Sequence, residues 1–370
     1  MQNHTSVRSE DVQAIILAGV HAWGSCALEK AAPRPLLPVA TRPVIEHIVG
    51  WLCDAGITRA TVCGNSDSAV LRAHLGTGEK QGIAVDYCED VMPRGPAGCA
   101  RDAALASTAR TFVVVDGTLI PDVDLTRLLA VHSGSSAAAT VVVTSAHSSG
   151  RVPAPTGLYV FSRAALAEVR PNGYQDIKEV LLPALHRRGV PVSTHAVAAG
   201  ALVRVTDARS YLAVDAAVVS RLTHRPGTVP GFVRIGEALV ASSARVDPTA
   251  QLLGPVVVGP DVQVRAGALV VGPASIGAGC IVAGQAVVSR SALWSRVSVG
   301  QGAFVDRCVL TDGASVEPEL VLRETIWMAR GRRHDGWVGR LLAHWRGVRP
   351  GTSRPTDRPG HDVTGRRLLG

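Results

Sequence analysis

A glycine-containing loop follows the first apolar segment of the chain and is the first place where its residues could bind a ligand. The run from Gln13 to Gly19, QAIILAG, ends at glycine, as a buried parallel strand does before a functional loop. The loop from Gly19 to Gly24 therefore lies where open α/β sheets bind ligands, beyond the carboxyl end of a strand. The loop is therefore a candidate ligand-binding segment.

Alternating strands and helices are predicted around that loop. Strands are expected at 59–63, 83–87, 111–115, 137–144 and 158–161, and helices at 43–55, 66–75 and 97–109. In the first of these helices Val44, Ile48 and Leu52 share one face. This βαβ rhythm predicts an α/β fold with an open, mostly parallel sheet and helices on both of its faces.

An aliphatic residue returns every six positions in the C-terminal half. The nine residues are Val240, Val246, Leu252, Val258, Val264, Val270, Ile276, Val282 and Val288. Trp294 continues this spacing, and the register then slips by one residue to Val299 and Val305. A six-residue period is typical of a triangular coil whose flat faces are short strands, so we predict a parallel β-helix of roughly four coils. A β-sandwich with glycine-rich turns is the alternative.

Composition bounds the class of protein. The 370 residues, 46% of them hydrophobic, suffice for two domains with real cores. No apolar run approaches the roughly 18 residues of a membrane span, and the polar stretch Met1–Gln13 lacks the apolar core of a signal peptide. Seven scattered cysteines without a C-x-x-C pair favour reduced thiols in a cytoplasm over disulfides or a zinc site.

The net charge of +8 is concentrated at the C-terminus. Eleven arginines and four acidic residues between Arg323 and Gly370 carry +7 of it. The near-neutral remainder argues against a nucleic-acid partner. We expect a disordered N-terminus at 1–12, domains at 13–225 and 226–322, and a largely disordered basic tail at 323–370. Within that tail a short amphipathic helix is expected from Asp335 to Arg346, either as a cap on the last coil or as a contact for a membrane surface or a partner.

A series of motifs resembles, in order, those of the sugar-1-phosphate nucleotidyltransferases, and is most similar to the mannose-1-phosphate guanylyltransferase and glucose-1-phosphate nucleotidyltransferase branches. The matching segments are Leu17-Ala18-Gly19, PRPLLPV at 33–39, PRGPAG at 93–98, VVVDGT at 113–118, GLYVF at 157–161 and DIKE at 176–179. The resemblance covers about Ala14 to Val321. It implies a Rossmann-like nucleotidyltransferase domain joined to a left-handed parallel β-helix of hexapeptide repeats.

The resemblance also implies a reaction and a site. In the family a sugar-1-phosphate attacks the α-phosphate of a nucleoside triphosphate, and pyrophosphate leaves with the help of Mg²⁺. The nucleotide-binding positions carried over to this chain are Leu17, Ala18, Gly19, Gly95, Gly98 and Asp116, with Arg34 as the catalytic cation.

The phosphate loop departs from the family pattern. Val20, Ala22 and Trp23 stand where the family has Gly, Gly and Thr, and Gly24 stands where it has Arg. A tryptophan there is expected to obstruct a triphosphate, and the main cation aimed at the phosphates is missing. The cations that could take its place are His21, Lys30 and Arg34.

The metal positions depart as well. The two metal-binding aspartates of the family fall at Thr118 and near Arg204, with Asp207 close by in sequence. Asp116, two residues before the first position, is either a shifted metal ligand or a turn residue before Gly117. An arginine at the second position reverses the charge expected beside Mg²⁺.

A deletion removes part of the expected sugar site. Between the strand ending at Thr144 and the GLYVF segment only residues 145–156 remain. The family has several dozen residues there, with Y-G-V and E-K-P motifs that contact the sugar phosphate.

Three hypotheses follow. The favoured one is a noncatalytic homologue in sugar-nucleotide or polysaccharide biosynthesis that binds a nucleotide or nucleotide sugar, acting in regulation or assembly as a homo-oligomer or as the partner of an active paralogue. The alternative is an active nucleotidyltransferase that uses Asp116, Asp122 or Asp124 for the metal and Arg34 for the phosphates, with Mg²⁺ required only in that case. An acyltransferase is disfavoured because the β-helix has no histidine between Val240 and Val316.

Overall fold

Two compact units make up the fold. A computed structural model describes residues 11–19, 27–64, 68–90, 94–145 and 154–329. The first unit comprises residues 1–22, 34–36 and 44–204, and the second comprises 23–33, 37–43 and 205–370. The expected domain boundaries stay predictions. Of the N-terminus expected to be disordered at 1–12, residues 1–10 lie outside the described residues. So do the substituted positions 20–24 and residues 330–370 of the expected basic tail, with its predicted helix at 335–346.

The first unit is an α/β sheet, with elements numbered in chain order over both units. Its strands are β1 (Val12–Leu17), β4 (Arg59–Gly64), β5 (Ala84–Glu89), β6 (Thr111–Asp116), β7 (Leu119–Pro121), β8 (Ala139–Thr144), β9 (Pro155–Ser162), β10 (Val192–Val197) and β11 (Leu202–Arg204). Its helices are α2 (Val44–Asp54), α3 (Ser68–Leu75), α4 (Gly95–Leu105), α5 (Leu125–Gly134), α6 (Arg163–Ala167) and α7 (Leu182–Arg187), with a π-helical turn at Ile177–Leu181. Short 3-10 turns lie at Arg34–Leu36 and Glu79–Gln81.

The sheet order is β10-β8-β9-β6-β1-β4-β5. All neighbours are parallel except β9, which runs antiparallel to both β6 and β8. The first five residues of β1 are buried, so both faces of the sheet are covered at its centre. The predicted mostly parallel sheet is therefore confirmed. None of the helices within the described residues is long and apolar enough to cross a membrane.

The second unit contains a parallel β-helix with three sheets. The first has β12 (Phe232–Ile235), β13 (Ala238–Ala241), β16 (Val256–Val258), β19 (Ala274–Ile276), β22 (Ala292–Leu293), β25 (Val309–Leu310) and β28 (Ile326–Trp327). The second has β14 (Arg245–Val246), β17 (Gln263–Val264), β20 (Ile281–Val282), β23 (Ser298–Val299) and β26 (Ser315–Val316). The third has β15 (Gln251–Leu253), β18 (Leu269–Val271), β21 (Val287–Ser289), β24 (Phe304–Asp306) and β27 (Val321–Arg323).

The six-residue repeat forms the core of this β-helix. All nine aliphatic residues of the repeat lie in its buried core or pack against it. Only β12 is antiparallel to its neighbour; the other paired strands of the three sheets are parallel. The β-helix is thus confirmed over the β-sandwich alternative, because a sandwich is built from antiparallel sheets.

The one-residue slip in the repeat occurs earlier than the spacing indicates. Ile276 is paired with Leu293, and Leu293 joins the buried column. The connection from Ser289 to Leu293 is one residue shorter than the corresponding connection from Val271 to Ile276. The prediction that Trp294 continues the repeat is therefore wrong, because this shorter corner moves the inward position back by one residue.

Trp294 has a partner outside the coil. Its Nε1 donates a hydrogen bond to the hydroxyl of Tyr211, 2.8 Å away, in helix α8 (Ala208–His224). The Tyr211 hydroxyl in turn donates to the carbonyl oxygen of Pro38. Pro38 belongs to a small hairpin of β2 (Pro38–Val39) and β3 (Arg42–Pro43), which shares this unit with helix α1 (Ala27–Ala31). Helix α8 therefore fastens the hairpin to the β-helix.

Asp215 provides a second, buried link in the same place. Its carboxylate accepts hydrogen bonds from the Ala40 N–H at 2.7 Å and from the Ser275 hydroxyl at 2.9 Å. Ala40 and Thr41 have φ values of +45° and +73°, so the hairpin turn is strained and needs this support. Burial raises the pKa of Asp215 to about 6, although the bonds from Ala40 and Ser275 oppose the shift.

Replacing Asp215 by asparagine is expected to remove a pH dependence of stability. Because the folded-state pKa lies above the ordinary value of 3.8, the contribution of this group is complete below about pH 4 and is lost as the pH rises through 6. Two pKa units correspond to about 3 kcal/mol. Melting temperatures measured between pH 4.5 and 7.5 should therefore shift progressively in favour of Asp215→Asn relative to the unsubstituted protein.

Asp207→Asn is the control on the same helix. The pKa of Asp207 is lowered by the Ser210 N–H, so its variant gains no stability as the pH rises. Parallel pH profiles for Asp215→Asn and the unsubstituted protein would contradict the assignment.

Candidate functional site

At the carboxyl edge of the central strands, the Leu17-Ala18-Gly19 motif lies beside Asp116. Leu17, the last residue of β1, is paired with Asp116 on β6. The Gly117 N–H donates to the Leu17 carbonyl at 2.9 Å, and the Ala18 N–H donates to the Cys63 carbonyl at 2.7 Å. A Cβ at Gly117 would lie 3.0 Å from the Leu17 oxygen, so only glycine fits here without a shift. Gly19, the last described residue before the loop, is exposed.

Asp116 is the electrostatic centre of this edge. One carboxylate oxygen accepts from the Thr118 N–H at 2.9 Å and from the Thr118 hydroxyl at 2.7 Å. The other oxygen lies 2.9 Å from the guanidinium Nη2 of Arg204. Both oxygens are therefore engaged by donors from the protein, and the negative charge has a permanent cation beside it.

Arg204 is positioned by backbone on two sides. It is the last residue of β11, which is antiparallel to β7 and pairs it with Leu119. Its Nη2 also donates to the Thr156 carbonyl at 2.8 Å. Gly157, with φ +99°, passes so close that a Cβ there would lie 2.4 Å from the same nitrogen. The glycine of the GLYVF segment thus leaves room for the guanidinium.

The described residues do not fit a divalent cation at Asp116. A guanidinium 2.9 Å from the carboxylate repels a second cation, whereas Mg²⁺ requires carboxylate or water oxygens around it. Nowhere among the described residues do three His, Cys, Asp or Glu side chains gather as a metal site would require. The assignment of Asp116 as a metal ligand stays a prediction, and its ion pair with Arg204 opposes it.

Gly95 and Gly98 lie in the first turn and a half of α4. Gly95 has φ +74°, and a Cβ on it would lie 2.7 Å from the Gln175 carbonyl. A Cβ on Gly98 would lie 2.6 Å from the Cβ of Arg94, the residue that precedes the helix. Helix α4 packs on β1, β4 and β5. Since it follows β5 directly, its N-terminus lies at the carboxyl edge of the sheet, where ligands bind in such folds.

Three further predicted residues are held by other elements. Arg34 begins a one-turn 3-10 helix that packs against α2. The Asp122 N–H donates to the Ala201 carbonyl at 2.7 Å. Asp124 is the N-cap of α5, and its side chain accepts from the Arg127 N–H at 2.9 Å. The site roles proposed for Arg34, Asp122 and Asp124 therefore stay predictions.

The pairing of Arg204 with Asp116 is the feature that sequence reasoning missed. The sequence marks both positions separately, one as an acid displaced from Thr118 and one as a reversed charge. The two changes are complementary, and that complementarity was the available signal. Thr156 could not have been found, because it contributes only its backbone oxygen.

Two protein-family models match this chain. The model described as Nucleotidyl transferase matches residues 13–151, and the one described as GlmU-like, C-terminal hexapeptide matches residues 270–331. The chain is 26% identical over 338 residues to the mannose-1-phosphate guanylyltransferase of Mycobacterium tuberculosis, covering 85% of this chain and 84% of that protein. It is 23% identical over 371 residues to the UTP–glucose-1-phosphate uridylyltransferase of Synechocystis sp., covering 87% and 94% respectively.

A double-mutant cycle on Arg204→Met and Asp116→Asn is expected to give a coupling free energy of about 1 kcal/mol, because the pair is half-buried and charge-assisted. Urea unfolding at low ionic strength measures it. The same cycle on Arg72 and Glu89, a more exposed pair at 3.9 Å, is the control and should show little coupling. Equal coupling in the two cycles would argue against a special role for Arg204.

Proposed function

Because this chain belongs to the sugar-1-phosphate nucleotidyltransferase family and carries its C-terminal hexapeptide region, we propose that it binds a nucleotide or nucleotide sugar without transferring a nucleotidyl group. Its family acts in sugar-nucleotide synthesis. A binding, regulatory or assembly role in the same metabolism requires the fold but not the nucleotidyl transfer reaction.

The ion pair of Arg204 with Asp116 is the observation that carries this proposal. Nucleotidyl transfer needs cations that offset the charge developing on the phosphates and carboxylates that hold Mg²⁺ in place. Here the guanidinium lies 2.9 Å from the Asp116 carboxylate. An arginine side chain is always protonated, so the position cannot be vacated for a metal by a change of pH.

The substituted phosphate loop supports the same proposal. Trp23 and Gly24 stand in place of the small residue and the arginine that the family pattern has there. Losing one donor aimed at the reacting group typically costs a factor of about 100 to 1000 in rate. The loop and the metal position are lost together, so little turnover is expected to remain.

An active nucleotidyltransferase is the second candidate, and one observation favours it. The relatives that align with most of this chain are named as enzymes, a guanylyltransferase and a uridylyltransferase. In that case Arg34 would face the phosphates and Mg²⁺ would be held by ligands such as Asp122. Both candidates bind a nucleotide, and they differ in turnover.

We place the protein in the cytoplasm and expect it to self-associate or to join an active paralogue, because the flat faces of β-helix coils suit packing against one another.

Pyrophosphate release separates the two candidates. The protein is incubated with Mg²⁺, with GTP, UTP, dTTP or ATP, and with mannose-1-phosphate or glucose-1-phosphate. We expect no release, whereas the M. tuberculosis relative is assayed alongside as a positive control. Turnover of about 1 per second or faster, as ordinary enzymes show, would overturn the noncatalytic proposal.

Ligand binding is tested separately by thermal shift. GDP-mannose or UDP-glucose is expected to raise the melting temperature by several degrees, because a ligand that binds only the folded state stabilises it. The shift should be the same in EDTA, since Arg204 leaves no role for a metal. The absence of any shift, with these nucleotide sugars and with the four nucleotides, would contradict binding.

Arg204→Asp is expected to create metal affinity. The substitution removes the cation beside Asp116 and supplies a second carboxylate, the ligand type that Mg²⁺ and Mn²⁺ prefer. Mn²⁺ binding measured by electron paramagnetic resonance should tighten by about tenfold, or roughly 1.4 kcal/mol. Arg110→Asp makes the same charge change at an exposed position and is the control. Equal Mn²⁺ affinity in the two variants would show that Arg204 does not stand at a metal position.

A further inference from the structure

Two cysteines lie side by side on neighbouring strands beneath the candidate site. Cys63 on β4 and Cys88 on β5 are direct partners in the parallel register. Both belong to the face of the sheet that helix α4 covers. Adjacent strands are about 4.8 Å apart, which falls within the Cα separation of roughly 4.4 to 6.8 Å that a disulfide spans. The two thiols are also close enough to influence each other's acidity.

The two thiols differ in exposure and in acidity. Cys63 is 2% exposed, whereas Cys88 is half-buried and can be reached from solvent. The hydrogen bond from Cys63 lowers the pKa of Cys88 to about 7; Arg94 assists, while burial, Asp102 and Asp90 oppose the shift. The same hydrogen bond and burial raise the pKa of Cys63 well above its ordinary value. Cys88 is thus the thiol that reacts first, and Cys63 is the thiol that can then form a disulfide with it.

Cys99 on α4 is the third thiol of this region and is not the reactive one. Burial, followed by the charge of Asp90, raises its pKa to about 12. It offers its backbone carbonyl, not its thiol, to the sulfur of Cys63 at 3.8 Å. The reactive pair is therefore the one formed across β4 and β5.

We propose that Cys63 and Cys88 are a reversible, peroxide-sensitive thiol pair. The Cys88 thiolate attacks one oxygen of hydrogen peroxide; an S–O bond forms, the O–O bond breaks, and hydroxide leaves as water after protonation. The Cys63 sulfur then attacks the sulfenic sulfur of Cys88; the S–S bond forms, and the hydroxyl leaves as a second water with the proton of Cys63. The two thiols lose two electrons, and peroxide is reduced to water.

The position of the pair connects its redox state to the candidate site. The Cys63 carbonyl accepts the Ala18 N–H at 2.7 Å, and the Asp90 N–H donates to the carbonyl of Gly64 at 2.8 Å. Ala18 begins the phosphate loop, and Asp90 in turn pairs with Arg94 before α4. Oxidation therefore acts on the backbone that carries both candidate nucleotide-binding segments.

Peptide mapping of the full-length protein tests the pair without any substitution. The reduced protein is treated with hydrogen peroxide at pH 7.5, quenched with catalase, alkylated, digested and analysed by mass spectrometry under nonreducing conditions. We expect a linked peptide pair containing Cys63 and Cys88 that disappears on treatment with dithiothreitol. Before oxidation, iodoacetamide at pH 7 should modify Cys88 at least about tenfold faster than Cys53. About half of Cys88 is thiolate at that pH, whereas burial and the charge of Asp54 raise the pKa of Cys53 above its ordinary value and keep that thiol protonated.

Variants assign the two roles. Cys88→Ser should abolish the linked peptide, and Cys63→Ala should leave a sulfenic acid on Cys88 that dimedone traps. Cys53→Ser, at a half-buried thiol of α2, is the matched control and should leave the link unchanged. A link between Cys88 and Cys99, or no link in the unsubstituted protein while other thiols oxidise, would overturn the proposal. These outcomes are independent of ligand binding and turnover, so they stand apart from the tests of function.

Discussion

The in-register parallel pairing of β6, β1, β4 and β5 is the constraint on which the chemistry of the first unit depends. It places Asp116, Leu17, Cys63 and Cys88 in one row across four strands. Because parallel strands present their carboxyl ends at one edge, loops that are distant in sequence leave the sheet together there. A slip of one residue in any of the three pairings would turn the affected side chain to the other face.

At one end of that row, a protein cation neutralises Asp116, the acid that lies two residues before the family's first metal position. The Asp116 carboxylate pairs with the Arg204 guanidinium and accepts a hydrogen bond from the Thr118 hydroxyl. Because Gly157 has no Cβ, it leaves space for the guanidinium. A guanidinium satisfies the same electrostatic demand as a metal ion, but it is covalently tethered and cannot coordinate a phosphate oxygen as a Lewis acid does. The ion pair therefore balances the charge of Asp116 within the protein itself.

The β-helix is stabilised by local contacts, because each of its coils packs only on the neighbouring coils. Its core is one aliphatic column, and its register is set by the length of each corner. The shortened corner before Leu293 changes the repeat without breaking the column, and it frees Trp294 to bond with Tyr211. Together with Asp215, that bond ties helix α8 and a strained hairpin to the coils. The shortened corner before Leu293 is thus the place where helix α8 and the hairpin are bound to the β-helix.

Most of the fold could be predicted from the sequence, but only part of the site could. Apolar strand runs, the helical period of 3.6 residues and the six-residue repeat are local properties of the chain, so the parallel sheet and the β-helix follow from hydrophobic patterning alone. The motif order likewise identified Thr118 and Arg204 as altered positions, with Asp116 as a displaced acid beside the first of them. Long-range contacts decide which acidic side chain pairs with which cation, because the ion pair depends on the pairing of β11 with β7 and on the residue at which β6 ends.

The sequence by itself therefore determined the two architectures and the places where the family pattern is broken. Only the tertiary structure decided that Asp116 and Arg204 form an ion pair. It also decided that Cys63 is paired with Cys88 and that Leu293, not Trp294, enters the core. The reason is physical: side-chain periodicity is set by neighbours along the chain, whereas strand register and corner length are set by the packing of the whole unit.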